Sequence, residues 1–143
     1  MTTTKATPVG VWLNLMALVM DNKWIVREML EDRTLGLPWS GYRALRRVER
    51  TPMSQGELAE RMGVDAPAIS GTVGDLAGRG FVERVADPSD GRRKLVHITE
   101  AGRNLLESLR GTDVVPPPVA TLTAAERREL TRMIEKMREA TER

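Results

Sequence analysis

One stretch constrains the fold of this 143-residue chain more than any other: SQGELAERMGVDAPAISGTVGDLAGRG. It begins with the spacing Ser-x-x-Glu at Ser54 and Glu57, a capping box typical of a helix N-terminus, and Gly63 ends that helix. After a short turn, Asp65 is a suitable N-cap for a second helix with Pro67 in its first turn. The pattern therefore predicts two short helices joined by a tight turn, which is a helix-turn-helix.

A predicted β-hairpin follows this unit directly. The runs FVERVA and RKLVHI are rich in β-branched and apolar residues, and the turn-forming residues DPSDG lie between them. Three cations stand at the tip, namely Arg92, Arg93 and Lys94. A helix-turn-helix followed by a hairpin is a winged helix, whose second helix enters the DNA major groove. Guanidinium groups at the tip suit a narrow minor groove, where the negative potential is concentrated.

Two helices are predicted before the winged-helix signal. Residues from Val11 to about Arg33 have a helical pattern, and the first half of this helix is apolar nearly all round. Such a helix has to be covered on more than one side. Pro38 falls in the first turn of the second helix, which runs to about Arg50.

Two more helices are predicted after the hairpin. Thr99 begins a helix that runs to about Arg110, and the three prolines at 116–118 interrupt the chain, because proline cannot continue a helix. A capping box at Thr123 and Glu126 then starts the last helix. The apolar stripe of this last helix consists of Leu130, Met133, Ile134 and Met137.

Composition excludes several classes of function. The net charge is only +2, so any affinity for nucleic acid has to come from local clustering of cations. With no Cys and one His, the chain cannot build a disulfide framework, a thiol nucleophile or a zinc site of Cys or several His. No nucleophile stands with a base, so we expect no enzyme activity, no cofactor and no metal.

The N-terminal apolar run, VWLNLMALVM, does not predict a membrane segment. A spanning helix needs about 20 apolar residues, and this run is shorter. It is not followed by a small-residue cleavage site, and the helical pattern continues straight through it, which argues against a signal peptide. We therefore expect a cytoplasmic protein that has no membrane partner.

The stretch from Ser54 to Gly102 resembles the DNA-binding core of the MarR (multiple antibiotic resistance regulator) family. The wing pattern Asp-x-Arg at Asp90 and Arg92, followed by ITEAG, is its most specific part, and LTAAERREL is similar to the closing helix of the family. The resemblance implies an obligate homodimer that represses transcription, with first and last helices interleaved between subunits. It also implies that Arg92 enters the minor groove and that Asp90 orients it.

The chain is thus predicted to be mainly α with a small β-hairpin, a winged helix-turn-helix with N- and C-terminal dimerisation helices. Residues 1–10 are expected to form a flexible tail, residues 11–36 and 99–143 the dimerisation helices, and residues 37–98 the DNA-binding region. The expected partners are a second copy of the chain and a near-palindromic operator in double-stranded DNA.

The second helix of the helix-turn-helix is bare, in the sense that its face opposite the apolar stripe has few long side chains. Its face opposite the apolar stripe includes Gly71, Gly74 and Gly78, and each interior glycine costs about 1 kcal/mol of helix stability relative to alanine. Two interpretations remain open: an inessential face, or a backbone that lies close to the groove. The expected DNA-contacting residues are Ser54, Gln55, Pro67, Ala68, Ser70, Gly71, Thr72, Asp90, Arg92, Arg93 and Lys94.

A winged-helix domain used only for protein–protein contact is the alternative function, because the net charge is low and this helix is bare. By resemblance to the family, a small aromatic or amphipathic acid is expected to bind between the dimer helices and the DNA-binding lobe. Arg46 offers a bidentate partner for its carboxylate. Simple packing of the same residues is the competing interpretation. The expected ligand-binding residues are Trp12, Met16, Trp39, Tyr42 and Arg46.

Overall fold

The computed structural model describes residues 6–33, 36–112 and 114–141. The fold is mainly helical with one antiparallel hairpin, as predicted. The chain divides into two compact units, Met1–Thr112 and Asp113–Arg143. The elements are α1 (Pro8–Asp21), α2 (Lys23–Arg33), α3 (Trp39–Arg50), α4 (Gln55–Met62), α5 (Ala66–Gly78), β1 (Val82–Asp87), β2 (Asp90–Ile98), α6 (Glu100–Arg110), α7 (Pro117–Ala120) and α8 (Ala124–Glu139).

The first predicted helix is two helices, and it begins earlier than predicted. Thr7 caps α1 by accepting a hydrogen bond from the Gly10 backbone N–H at 3.1 Å. Of the expected tail over residues 1–10, the part from Pro8 onward is helical, and residues 1–5 lie outside the described residues. Between α1 and α2, the Asn22 side chain donates to the Leu18 carbonyl at 2.9 Å. This side chain takes up a carbonyl at the end of α1, which is how Asn competes with helix continuation.

The helix-turn-helix forms from the predicted caps. The Asp65 carboxylate accepts from the Ala68 N–H at 2.8 Å at the start of α5, and Gly63 ends α4 with a φ of 66°, which favours glycine. Ser54 accepts from the Glu57 N–H at 3.2 Å, so one half of the predicted capping box is present. The other half is wrong, because the Glu57 carboxylate contacts Arg93 rather than the cap.

The hairpin pairs β1 with β2 from Val82 opposite Ile98 to Asp87 opposite Asp90, with an irregularity after Ala86. Met53, the residue before the Ser54 cap, forms an isolated bridge with Val96, whose N–H donates to the Met53 carbonyl at 2.8 Å. The base of the hairpin is therefore attached to the chain segment that leads into α4.

The core of the first unit lies between α3, α4, α5, α6 and the hairpin. Gly102 lets α6 approach closely, because a Cβ at this position would overlap the Phe81 carbonyl oxygen. The Thr99 side chain donates to the Gly80 carbonyl at 2.6 Å and fixes the same junction. The largest fully buried side chains are Leu37, Leu45, Leu58, Ile69, Leu76, Leu106, Val48 and Val73.

In the second unit the capping box of α8 is complete. The Thr123 N–H donates to Glu126 at 2.9 Å, and the Glu126 N–H donates to the Thr123 hydroxyl at 3.1 Å. The prolines lie between α6 and α8, as predicted, and Pro117 also starts the single turn of α7, where a missing N–H costs little. On α8, Met133, Ile134 and Met137 are exposed.

Within the described ranges, no single helix is long and apolar enough to cross a membrane. The one helix pair that passes this test together, Pro8–Asp21 with Lys23–Leu30, is bent by 48° at the break.

Candidate nucleic-acid interface

The first half of α5 presents an exposed polar and small-residue face. Ile69, Val73 and Leu76 are buried and hold the opposite face of the helix in the core. Of the residues predicted to contact DNA here, Thr72 is half-buried, and the exposed ones are Pro67, Ala68, Ser70 and Gly71. A Cβ added at Gly71, Gly74 or Gly78 would meet nothing within 4 Å. The fold therefore does not require glycine at these three positions.

Hydrogen bonds to two aspartates shape the tip of the hairpin. The Asp87 carboxylate accepts from the Ser89 N–H at 2.9 Å and from the Ser89 hydroxyl at 2.8 Å, and these bonds lower the pKa of Asp87. The Asp90 carboxylate accepts from the backbone N–H of Arg92 at 3.1 Å. Asp90 was expected to orient the Arg92 guanidinium; the contact in the structure is to the backbone, and it fixes the turn instead.

The three cations of the tip differ in their contacts. Arg92, Arg93 and Lys94 are all exposed, and they lie at or beside the irregularity of the hairpin. Arg93 forms ion contacts: its guanidinium contacts Glu57 of α4 and is 3.9 Å from the Asp87 carboxylate. Among the described residues, the wing therefore offers two cations that form no salt bridge and one that is paired within the protein.

The start of α4 is also occupied by contacts within the protein. Ser54 caps the helix, and the Gln55 side-chain oxygen accepts from the Arg84 guanidinium at 3.4 Å. Both residues were predicted to contact DNA. The structure places them beside the hairpin, with their oxygen atoms engaged in capping and in attachment of the wing.

A bidentate ion pair joins α3 to α6. The Arg110 guanidinium donates to both carboxylate oxygens of Glu49, at 2.7 and 3.0 Å, and more weakly to Glu107 at 3.3 Å. The hydrogen bonds from Arg110 lower the pKa of Glu49, and the same contact raises the pKa of Arg110. This pair closes one edge of the winged-helix core.

Two adjoining cavities lie beside α2 and α3, and the smaller one reaches this ion pair. One, of about 570 Å³, is lined by residues of α1, α2 and the start of α3, and the other, of about 290 Å³, is lined by α2, α3 and α6. Both include Trp39, which stacks on Tyr42 with ring centroids 5.1 Å apart. Arg110 lines the smaller cavity and brings a guanidinium to an apolar wall.

Of the five residues predicted to bind a ligand, the structure brings Trp39 and Tyr42 together. Trp12, Met16 and Arg46 are not among the residues that line these two cavities. In the part of the chain that the structure describes, no group of three or more His, Asp or Glu side chains is placed to hold a metal ion.

The sequence reasoning missed three residues of this region. Glu57 was assigned to helix capping, and Arg84 and Arg110 were not singled out. A signal was present for Glu57, because a carboxylate at the third position of a helix has an alternative partner when a cationic hairpin follows. No local signal links Arg110 to Glu49, which is 61 residues away.

Residues 35–93 match the model of the MarR family. An uncharacterised HTH-type transcriptional regulator of Mycobacterium bovis is 36% identical over 77 residues, 52% of this chain and 54% of that protein. The HTH-type transcriptional repressor NicR of Pseudomonas putida is 33% identical over 88 residues, 60% of this chain and 56% of NicR. The matched part of the chain thus spans about half the length of these curated relatives.

The fold extends the likeness beyond these segments. A point mutant of MepR from S. aureus, solved bound to an oligodeoxyribonucleotide, is 20% identical with a TM-score of 0.60, and the match covers 91% of this chain and 96% of MepR. The matched family model spans the helix-turn-helix and the tip of the wing, and the same fold continues over the flanking helices. Residues 35–93 thus match the MarR family, and the fold of the flanking helices is also found in MepR.

Proposed function

We propose that the chain is a dimeric transcriptional regulator that binds a near-palindromic operator in double-stranded DNA. The observation that carries this proposal is the exposed pair Arg92 and Lys94 at the tip of a hydrogen-bonded hairpin, next to a helix-turn-helix with an exposed α5. In such a unit, α5 lies in the major groove and the wing reaches the flanking minor groove. The DNA-bound state of MepR and the names of the curated relatives support this assignment.

Direct base contacts are few in this proposal. Ser70 and Thr72 are the polar side chains available in the first half of α5, and the glycines leave its backbone open. Specificity then depends strongly on DNA shape, which the Arg92 guanidinium senses through the width of the minor groove. The alternative of a module for protein contact alone is not favoured, because the relatives are named as transcriptional regulators.

Repression is the mode of regulation that we propose. NicR is named as a repressor, and a dimer seated on an operator blocks access to the DNA it covers. A second copy of the chain is the proposed partner of α1, which contains no buried residue although its side chains are mostly apolar. We place the dimerisation role in residues 11–36 and 99–143 and the DNA-binding role in residues 37–98, within a cytoplasmic protein.

We also propose that a small aromatic or amphipathic acid releases the protein from DNA. Its site would be the smaller cavity, where Trp39 and Tyr42 form a flat aromatic wall and Arg110 supplies the guanidinium. Arg110 replaces Arg46 in this role because it lines the cavity. A ligand carboxylate would compete with Glu49 for Arg110 and so loosen α6 from α3. Release follows only from a difference in ligand affinity between the two states.

The experiment that tests DNA binding is selection of fragments from the source genome with the purified full chain. We expect enrichment of fragments that share a two-fold symmetric motif, with half-sites about one helical turn apart. Affinity for these fragments should fall steeply with salt concentration, because phosphate contacts release counterions. No enrichment, together with no salt-dependent binding to duplex DNA, would favour the protein-contact alternative.

The ligand is tested with phenolic acids titrated into the protein–operator complex while Trp fluorescence is followed. An active compound should lose its effect in Arg110→Gln, and Arg46→Gln is the matched control on the neighbouring face of α3. If no compound changes fluorescence or DNA binding, or if Arg110→Gln keeps the full response, this site is wrong.

A further inference from the structure

Three contacts attach the wing to the beginning of α4. The Arg93 guanidinium on β2 contacts the Glu57 carboxylate, and the Arg84 guanidinium on β1 donates to the Gln55 side chain at 3.4 Å. A backbone bond from Val96 to Met53 holds the base of the hairpin. The Arg84 contact is level with the backbone bridge, because Arg84 is opposite Val96 in the hairpin. The Arg93 contact lies nearer the tip, so the Arg93–Glu57 pair controls the direction in which the outer wing points.

Arg93 is placed differently from the cations on either side of it. Arg92 and Arg93 lie in the irregular part of the hairpin, between the pairs Asp87–Asp90 and Ala86–Lys94, where regular strand alternation is interrupted, and the three cations differ in their contacts. Arg93 has carboxylates on two elements, Glu57 on α4 and Asp87 on β1. Its positive charge is therefore compensated within the protein, whereas Arg92, which is also exposed, forms no salt bridge with the described residues.

The position of Glu57 explains why its carboxylate is available to Arg93. Its backbone N–H is capped by Ser54, and the reciprocal side-chain bond of a capping box is not formed. The Glu57 carboxylate lies in the first turn of α4, where the positive end of the helix dipole stabilises a negative charge. This stabilisation does not depend on its contact with Arg93. Glu57 thus stabilises the start of α4 and also holds the wing through its contact with Arg93.

We propose, resting on the proposed DNA-binding function, that Arg93 is a positioning residue and not a phosphate contact. Its pairing with Glu57 fixes the wing relative to α4, so that Arg92 and Lys94 reach the DNA together with α5. This replaces the sequence-based expectation that Arg93 contacts DNA directly. An exposed ion pair adds little to global stability, so its effect should appear in the orientation of the wing.

A substitution that removes a negative charge tests this proposal, because charge alone and the proposal predict opposite changes in DNA affinity. Glu57→Gln removes a negative charge beside a polyanion, which by charge alone raises DNA affinity. The proposal predicts a loss instead, of about two- to fivefold, the range expected for an exposed ion pair. Glu60→Gln is the matched control, because it removes the same charge from an exposed position on the same helix, and it should cause no loss.

The salt dependence of binding separates positioning from phosphate contact. Arg93→Gln should lower affinity for the selected duplex by the same factor as Glu57→Gln, and the double variant should lose no more than either single variant. The slope of log affinity against log salt should stay unchanged. If Arg93→Gln lowers that slope by about one and Glu57→Gln raises affinity, Arg93 is a phosphate contact and the proposal is wrong.

A measurement without DNA keeps this test separate from the proposed function. Amide hydrogen exchange over residues 82–98 of the free protein should be faster in Glu57→Gln and Arg93→Gln than in Glu60→Gln. Unchanged exchange in both variants would overturn the attachment of the wing. If the wild-type chain binds no duplex DNA, the proposed function fails and the role of Arg93 in DNA binding fails with it, while faster exchange would still support the attachment.

Discussion

The winged-helix core and helix α1 use apolar residues in opposite ways. In the core, Leu45 and Leu58 are completely buried by side chains of the same chain. In α1, which is equally rich in apolar residues, none is buried, and Trp12 and Leu13 are 58% and 60% exposed. The core is closed by its own chain, whereas α1 has a large apolar surface that its own unit does not cover.

This difference separates two kinds of stability. Burial of the core stabilises the folded chain whatever its concentration, because all the packing partners belong to one molecule. Burial of α1 against a second copy depends on mass action, so that contribution grows with protein concentration. The two regions should therefore respond differently to substitution.

The largest effect is expected in the core. Leu58→Ala removes a fully buried side chain and leaves a cavity, and we expect a loss of about 2–5 kcal/mol in the free energy of unfolding. Chemical denaturation followed by circular dichroism measures this. The loss should be the same at low and high protein concentration. A change below about 1 kcal/mol would mean that this core is not packed as described.

A charged side chain introduced on α1 should instead weaken the association of two copies of the chain. Leu13→Glu would bury an unpaired carboxylate in the proposed dimer, at a cost of about 3 kcal/mol, or on the order of 100-fold in the dimer dissociation constant. Sedimentation equilibrium measures the constant. Asn14→Glu, at an exposed polar position of the same helix, is the matched control. If both variants associate as the wild type does, α1 does not lie in the dimer interface.

The wing substitution Arg92→Ala should leave both kinds of stability unchanged. We expect it to lower operator affinity by about 1–3 kcal/mol and to reduce the preference for A·T-rich flanking sequence. Fluorescence anisotropy with operators that differ only in their flanks measures both effects. If Arg92→Ala and the wild type have equal affinity and equal flank preference, the wing does not recognise the minor groove.

The smallest effect concerns the ion pair at the edge of the core. Because Arg110 lowers the pKa of Glu49 below its ordinary 4.5, the pair stabilises the folded state above that pH and loses its effect as the pH falls through the lowered value. Glu49→Gln should cost at most about 1 kcal/mol at neutral pH and nothing in acid. Glu107→Gln, a more exposed partner of Arg110, should cost less. A cost for Glu49→Gln that persists unchanged at low pH would contradict this.

Local sequence signals predicted the elements that are set locally. Caps at Ser54, Asp65, Thr99 and Thr123 fix helix starts through bonds within three residues, so their spacing is visible in the sequence. The break at Asn22 was missed, because a single Asn inside an apolar helical pattern has no distinctive signal until its side chain is seen to take a backbone carbonyl.

The candidate site was predicted less completely than the fold. Residue type and strand position placed Arg92 at the tip, because a turn-forming sequence precedes it. The partners of Arg93 and Arg110 lie on elements distant in sequence, so their pairing depends on the packing of α4 and α6 and cannot be read locally. The ligand residues were assigned by family resemblance and stay a prediction; Arg110, which lines the smaller cavity, takes the place of Arg46 in our proposal.

The mass of the protein, free and on its selected operator, tests the proposed dimer most directly and is measured by light scattering after size exclusion. We expect twice the mass of one chain in free solution and two chains on each operator. Leu13→Glu should reduce the free mass to that of one chain and lower operator affinity, while the fold of its winged helix is retained. A single chain in free solution and on the operator, with full affinity, would show that the protein does not act as a dimer.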